Sequence, residues 1–326
     1  MKAFLTGATG FIGGHVARLL RERGDDVVAL VRSPGKAGEL RELGCALVEG
    51  DLSATDAIRR GVEGCDGVFH IGAVYEVGIP KSERPAMFEA NVGGTERVLD
   101  AAVDAGVPRI LYVSTVGVFG NTRGETVQEG WTRPDREFTS YYEETKVLAH
   151  EVADDRIAKG APIVIVQPGG VYGPNDHSEL GNLIEQAATG KLPAKVFPDA
   201  GIMMCHVEDI AAGILLAFDK GEVGEAYILA DYKATFGDLI DRVAAIAGRK
   251  PFRFTMPTAL LKASAPLGPL VGPMMGFPKN LGELITTSDG VTFWASDEKA
   301  RRDLGFSPRG VDAGLRETVE AALRES

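Results

Sequence analysis

The segment Thr6-Gly7-Ala8-Thr9-Gly10-Phe11-Ile12-Gly13 follows directly on the apolar run Ala3-Phe4-Leu5 and leads into His15 to Arg23, where Val16, Leu19 and Leu20 recur at helical spacing before Gly24. A strand that turns through three glycines spaced GxxGxxG into a helix has few folds open to it. Gly7 permits the turn off the strand, Gly10 lets an anion approach the backbone, and Gly13 lets the helix lie close against the sheet. The helix N-terminus adds unpaired N–H groups. After Gly24, the run Val27-Val28-Ala29-Leu30-Val31 reads as a strand buried on both faces, which completes a βαβ unit.

The alternation continues along the chain. Leu47-Val48, Gly67 to Ile71, Arg109 to Val113 and Ile163 to Val166 read as strands, with a helix over Glu96 to Ala105. Such alternation predicts an α/β fold: a doubly wound, Rossmann-type parallel sheet with helices on both faces. Sites in these sheets lie beyond the carboxyl ends of the strands, where Arg32, Asp51, Ala73, Ser114, Thr115 and Pro168 fall. The glycine turn then reads as the pyrophosphate site of a dinucleotide. A carboxylate about 20 residues past the glycines would accept the adenosine ribose of NAD(H), whereas a cation there accommodates a 2′-phosphate. The chain has Arg32, Ser33 and Lys36 there, and Asp25 and Asp26 sit at the wrong end of the strand. Charge and position favour NADP(H) over NAD(H).

A formal charge of −11 over 326 residues argues against a nucleic-acid surface. Cys45, Cys65 and Cys205 are too few and too scattered for a disulfide framework, and no histidine or cysteine pair has metal-ligand spacing, so no metal is expected. The first strand begins at residue 2 or 3, which leaves no room for a signal peptide, and no apolar run is long enough to span a membrane. The expected setting is cytoplasmic, without a membrane partner.

Chemistry enters with Tyr142 and Lys146, which at i and i+4 share one helix face; Tyr141 does not align with the lysine. A phenol titrates at about pH 10, and a close ammonium is expected to lower that value, so that the pair can move a proton at a carbonyl or alcohol oxygen. Ser114 and Thr115, ending a strand just upstream, each offer a hydroxyl to hold that oxygen or simply to close an ST-turn.

These stretches together resemble the extended short-chain dehydrogenases/reductases, in the branch of the dihydroflavonol reductases. The resemblance covers nearly the whole chain. It rests on Thr6 to Gly13, Asp51-Leu52, His70-Ile71-Gly72-Ala73, Asn91 to Thr95, Val113 to Gly120, Tyr142 to Lys146, Gln167 to Pro174 and His206 to Ile210. It implies that Asp51 and Leu52 flank the adenine, that Ile71, Gly72, Ala73 and Val113 line the cofactor, and that Pro168 and Val171 pack near the nicotinamide. Alignment of Val118-Phe119-Gly120 with the family's VYG puts the catalytic hydroxyl at Thr115, and Lys146 also on the nicotinamide ribose. The implied division is a dinucleotide-binding domain over 1–170 and about 205–230, with a smaller C-terminal α/β substrate domain over 171–204 and 231–326. Many relatives are homodimers, which implies pairing of helices near Glu96 to Val103 and Glu143 to Asp154.

Three functions follow from that resemblance: an NADPH-dependent aldehyde or ketone reductase, a nucleotide-sugar epimerase or dehydratase that retains its cofactor, and a non-catalytic NADP-binding sensor. The sensor is disfavoured by the presence of Tyr142 and Lys146. Dehydratases carry an acidic pair where this chain has Val116-Gly117, and Asn175-Asp176 after Pro174 would repel a sugar diphosphate. Met256 to Pro278 is apolar and rich in proline, and reads equally as a substrate lid or as plain packing. As a lid it would select an apolar or aromatic carbonyl. Tyr75, Phe119 and Trp131 are further candidates for the pocket wall, and His206 and Asp209 for a helix cap or an anchoring carboxylate.

Overall fold

The computed structural model describes residues 1–252, 254–264 and 280–325. From the N-terminus, β1 (Lys2–Thr6), α1 (Phe11–Glu22), β2 (Asp26–Val31), α2 (Gly38–Glu42), β3 (Ala46–Glu49), α3 (Thr55–Val62) and β4 (Gly67–His70) alternate. Next, α4 (Arg84–Phe88) passes through a π-helical turn, Glu89–Gly93, into α5 (Gly94–Asp104), and is followed by β5 (Ile110–Val113), α6 (Tyr141–Ala158) and β6 (Ile163–Pro168). The remainder holds β7 (Gly170–Tyr172), α7 (Glu179–Thr189), β8 (Gly201–His206), α8 (Val207–Lys220), β9 (Ala226–Leu229), β10 (Tyr232–Thr235), α9 (Phe236–Ile246) and β11 (Thr292–Phe293). Three further helices cover Thr258–Ser264, Leu281–Ser288 and Val311–Glu325.

Seven strands form one parallel sheet in the order β3-β2-β1-β4-β5-β6-β9. Period-two alternation sends successive side chains to opposite faces. Leu5, Ala29, Phe69, Leu111 and Val164 therefore meet α1 and α8 through Val16, Leu20, Ile210 and Ile214. Phe4, Leu30, Val68, Ile110 and Ile163 meet α3, α5 and α6 through Ile58, Val98, Leu99 and Ala149. Each such fully buried aliphatic side chain contributes about 1.5–3 kcal/mol. Runs such as Ile163 to Val166 are continuously apolar because both faces are covered.

A second sheet is built on β8. β10 pairs with it antiparallel, and β7 and β11 pair with it parallel. Tyr172 and Met204 pack under α7, α9 and the C-terminal helix through Ile184, Leu239, Val243 and Leu315.

The strand order turns back between β1 and β4, and the crevice beyond their carboxyl ends is the place for a ligand. The helix expected over Glu96 to Ala105 is longer and begins at Gly94, continuous with the π turn that holds Asn91. Cys45, Cys65 and Cys205 are buried free thiols. Among the described residues no helix is long and apolar enough to cross a membrane.

Candidate active site

The crevice opens into a cavity of about 2060 Å³, roomier than the usual 300–1,000 Å³ of a small-ligand pocket. Gly7, Thr9, Gly10, Phe11, Ile12, Gly13, Arg32, Lys36, Asp51, Leu52, Ile71, Gly72, Ala73, Val113, Thr115, Tyr142, Lys146, Pro168 and Val171 all line it. The walls come from the turn after β1, the ends of β2 and β4 to β6, and the start of α6.

At the turn, Gly7 has φ +76°, and a Cβ there would stand 2.7 Å from the Gly72 nitrogen. A Cβ on Gly13 would stand 2.1 Å from the Gly7 carbonyl oxygen. Both positions are closed to any side chain, so the backbone after β1 lies against the backbone after β4. Gly10 caps α1 with extended backbone and no side-chain hydrogen bond. The first-turn N–H groups of α1 thus have no capping side chain to compete with an anion, which fits the pyrophosphate of a dinucleotide.

Arg32 and Lys36 are exposed on the rim beyond β2. Near them Asp51 accepts bonds from the Ser53 backbone N–H at 2.9 Å and its hydroxyl at 2.6 Å. Those bonds, and then Arg32, hold the Asp51 carboxyl below the usual carboxylate range.

The opposite end is more enclosed. Ser140 caps α6 by accepting from the Glu143 N–H at 3.1 Å, which sets Tyr142 and Lys146 on the first turns. Lys146 is 4% exposed. Its ammonium donates to the Val113 carbonyl at 3.1 Å and to the Tyr112 hydroxyl at 3.4 Å, and burial brings its pKa down to about 8. The Tyr142 ring meets that of Tyr75 edge-on, with centroids 4.8 Å apart. Here the structure corrects an expectation. Burial raises the Tyr142 phenol above its ordinary value, because Lys146 spends its hydrogen bonds on β5 and no charge offsets the desolvation.

The two hydroxyls ending β5 differ. Thr115 accepts from the Gly117 N–H at 3.1 Å, capping a short 3₁₀ turn, and is partly exposed in the cavity. Ser114 is buried and bonded to His150 Nδ1 at 2.8 Å.

A buried polar chain, which sequence reasoning did not assemble, links the two ends. Thr6 Oγ1 accepts from the Gly72 N–H and meets His70 Nδ1 at 2.8 Å, while His70 Nε2 meets Thr95 Oγ1 at 3.0 Å. Thr95 donates to the Asn91 carbonyl, so its oxygen accepts from Nε2–H, and Nδ1 accepts from Thr6. Enclosure lowers the His70 pKa to about 3, which keeps the ring neutral. Asn91 then grips Val74 through both N–H and C=O and donates to Thr145, whose hydroxyl donates to the Tyr142 carbonyl. The signal available was Asn91 within its motif, in the π turn that aims it.

Other candidates divide. Tyr75 lines the cavity, whereas Phe119 is core and Trp131 lies away from the lining. His206 caps α8, accepting from the Glu208 N–H at 3.4 Å, and Asp209 anchors Arg309. His206, Glu208 and Glu317 come together, a cluster that spacing did not foretell, but Arg309 binds both carboxylates. Of Met256 to Pro278, Met256 lines the cavity and Leu261 is buried with Phe197 and Ile285. The rest of that stretch, from residue 265, lies outside the described residues.

The model of the NAD dependent epimerase/dehydratase family matches residues 3–230. A Synechocystis sp. protein provisionally named a dihydroflavonol 4-reductase is 31% identical, the match covering 97% of this chain and 93% of that one. A ketoreductase of Stigmatella aurantiaca that acts on a farnesylated quinoline oxide by its name is 31% identical over 96% and 95% of the two chains. The crystal structure of a nucleoside-diphosphate-sugar epimerase from Pseudomonas aeruginosa superposes with TM-score 0.77 at 26% identity, covering 100% of this chain and 98% of that one.

Proposed function

The chain belongs to the NAD dependent epimerase/dehydratase family, the extended short-chain dehydrogenases/reductases, and from that premise we propose that it is an NADP(H)-dependent reductase of apolar aldehydes or ketones. The observation that carries this reading is the distribution of cations along the cavity. Among the described lining residues the arginines and lysines are Arg18, Arg32, Lys36 and Lys146, and the substrate end has none. That end offers Asp176 and Glu179 instead, the first half-buried and the second exposed. A sugar diphosphate would meet repulsion there, while Phe197, Ile202, Phe236, Met256, Leu284 and Phe293 suit an apolar substrate.

In this reading the glycine turn, Asp51, Leu52, Ile71 to Ala73, Val113, Pro168 and Val171 hold the dinucleotide, with Arg32 and Lys36 on its 2′-phosphate. When bound, that cofactor supplies a hydride equivalent to the carbonyl carbon. Thr115 hydrogen-bonds the carbonyl oxygen, Tyr142 donates a proton to it as charge develops, and Lys146 lowers the cost of the phenolate left behind. Burial keeps the Tyr142 phenol protonated until charge develops on the carbonyl oxygen, and a second hydrogen-bonding group at that oxygen lowers the barrier further. The reading includes a homodimer through the outer sides of α5 and α6, checked by sedimentation.

The test is a panel of aldehydes, ketones and nucleotide sugars followed by NADPH absorbance, with sugar epimers assayed in parallel. Turnover of carbonyls by the wild type, lost in Tyr142→Phe with NADPH binding intact, is expected. Full activity in Tyr142→Phe, or sugar epimerisation without net NADPH consumption, refutes the reading.

A further inference from the structure

Of the pair on α6, Lys146 stands in the second turn and is tied to β5 through Val113 and Tyr112. Tyr142 is the second residue of the helix, where backbone N–H groups have no intrahelical partner and helices fray. Its placement depends on what holds that first turn. Ser140 and Glu143 hold it from within, since Ser140 Oγ accepts from the Glu143 N–H and Glu143 Oε2 accepts from the Thr139 N–H at 2.8 Å.

A second carboxylate reaches the turn from 142 positions further along the chain. Glu283 Oε1 accepts from the Tyr141 N–H at 2.7 Å, and the Glu283 side chain is only 7% exposed. A carboxylate is favoured at this positive end of the helix. Glu283 belongs to the helix Leu281–Ser288, at whose start Asn280 Oδ1 accepts from the Glu283 N–H at 3.2 Å and Asn280 Nδ2 donates to Glu283 Oε2 at 3.0 Å. From α4, Arg84 lies 3.7 Å from Oε2 and sets its guanidinium 4.7 Å above the Tyr141 ring. With Oε2 held by these neighbours, Oε1 is left for α6. The same helix turns Leu284, Thr287 and Ser288 to the cavity. Glu283 is therefore the joint between a wall of the cavity and the turn that carries Tyr142.

We propose that Glu283 is a positioning residue for the reduction: its bond to the Tyr141 N–H fixes Tyr142 within donating distance of a carbonyl oxygen whose substrate lies against the wall of Leu284, Thr287 and Ser288. The proposal rests on the reductase reading, in which Tyr142 donates the proton. Glu283 acts by geometry and not by its field, since burial accounts for the raised phenol pKa of Tyr142. It touches neither the substrate nor the cofactor, and works only through the first turn of α6.

The test separates the bond from the charge and the volume. Glu283→Gln keeps an oxygen for the Tyr141 N–H, whereas Glu283→Met keeps the bulk and offers no acceptor. In Glu283→Met kcat should fall about tenfold or more, since a misplacement of about 1 Å costs up to about 10²-fold. Its solvent deuterium isotope effect should rise as proton donation slows, with NADPH affinity by fluorescence titration at the wild-type value and KM for the carbonyl changed less than kcat. Glu283→Gln should recover most of kcat and the wild-type isotope effect. Wild-type kcat and isotope effect in Glu283→Met, or a Glu283→Gln enzyme as slow as Glu283→Met, overturns the proposal. Where Glu283→Met does not fold, Tyr141→Pro cuts the same bond from the other side, because proline suits a first helical position that follows the extended backbone of Ser140. It should show the same fall and the same rise in isotope effect, and wild-type values there overturn the proposal equally. Tyr142→Phe separates the two claims. If it is inactive while Glu283→Met is normal, only the positioning role falls; if it is active, the reductase reading falls and the positioning role with it.

Discussion

The two ends of the cavity use charge in opposite ways. At the inner end, Lys146 and Tyr142 are desolvated, and their proton affinities move in opposite directions toward neutrality, the lysine to about 8 and the phenol upward. At the outer end, Arg32 and Lys36 stand in solvent at the strand terminus. A charge made costly by burial is poised to change its protonation state, whereas a charge left in water is useful only for the partner it selects. In the proposed reading the same fold separates reactivity from cofactor choice by depth.

The largest expected effect tests the inner end. Lys146→Met should lower kcat by about 10²–10⁴-fold yet stabilise the cofactor-free protein at neutral pH. The Lys146 pKa falls from 10.5 to about 8 on folding, so between those values the unfolded chain binds more protons and wild-type stability rises with pH. The advantage of Lys146→Met, on the order of 1–3 kcal/mol at pH 7, should shrink as pH rises through that window. Thermal melts of both proteins from pH 7 to about pH 10 check it, and a constant gap would show that the lysine is not desolvated.

The outer end should respond to charge alone. Arg32→Asp is expected to weaken NADPH binding about 10- to 100-fold, the worth of a charge-assisted hydrogen bond, with little change for NADH. Raising salt should erode NADPH affinity in the wild type and much less in the variant. Calorimetric titration with both cofactors measures this, and an unchanged preference would remove Arg32 from the reading.

How much of this was legible follows the same division. The glycine turn, the parallel strands and the Tyr142–Lys146 spacing are local patterns of period 2 or 3.6, and the structure brings the residues they singled out around one cavity. The direction of the Tyr142 shift was not legible, since it depends on where Lys146 sends its hydrogen bonds, to Val113 and Tyr112 across a strand. Neither was the chain from Thr6 through His70, Thr95 and Asn91 to Thr145, whose links join residues up to 64 positions apart. The second sheet hides for a related reason. β11 has two residues, too few for a period, and finds β8 only through tertiary packing.

The smallest effects compare like with like at the two ends. Asn91→Ala and Ser53→Ala each delete a side chain that holds nearby backbone in place, but Asn91 is 1% exposed and its loss removes the bonds to the Val74 N–H and C=O and to the buried Thr145 hydroxyl. That should cost about 1–3 kcal/mol in urea unfolding. Ser53 binds the exposed Asp51, where water replaces the hydroxyl, so Ser53→Ala should cost less than about 0.5 kcal/mol and let the Asp51 pKa rise. Equal losses at the two sites would mean that the inner end is as wet as the rim, and the separation of reactivity from selection by depth would fail.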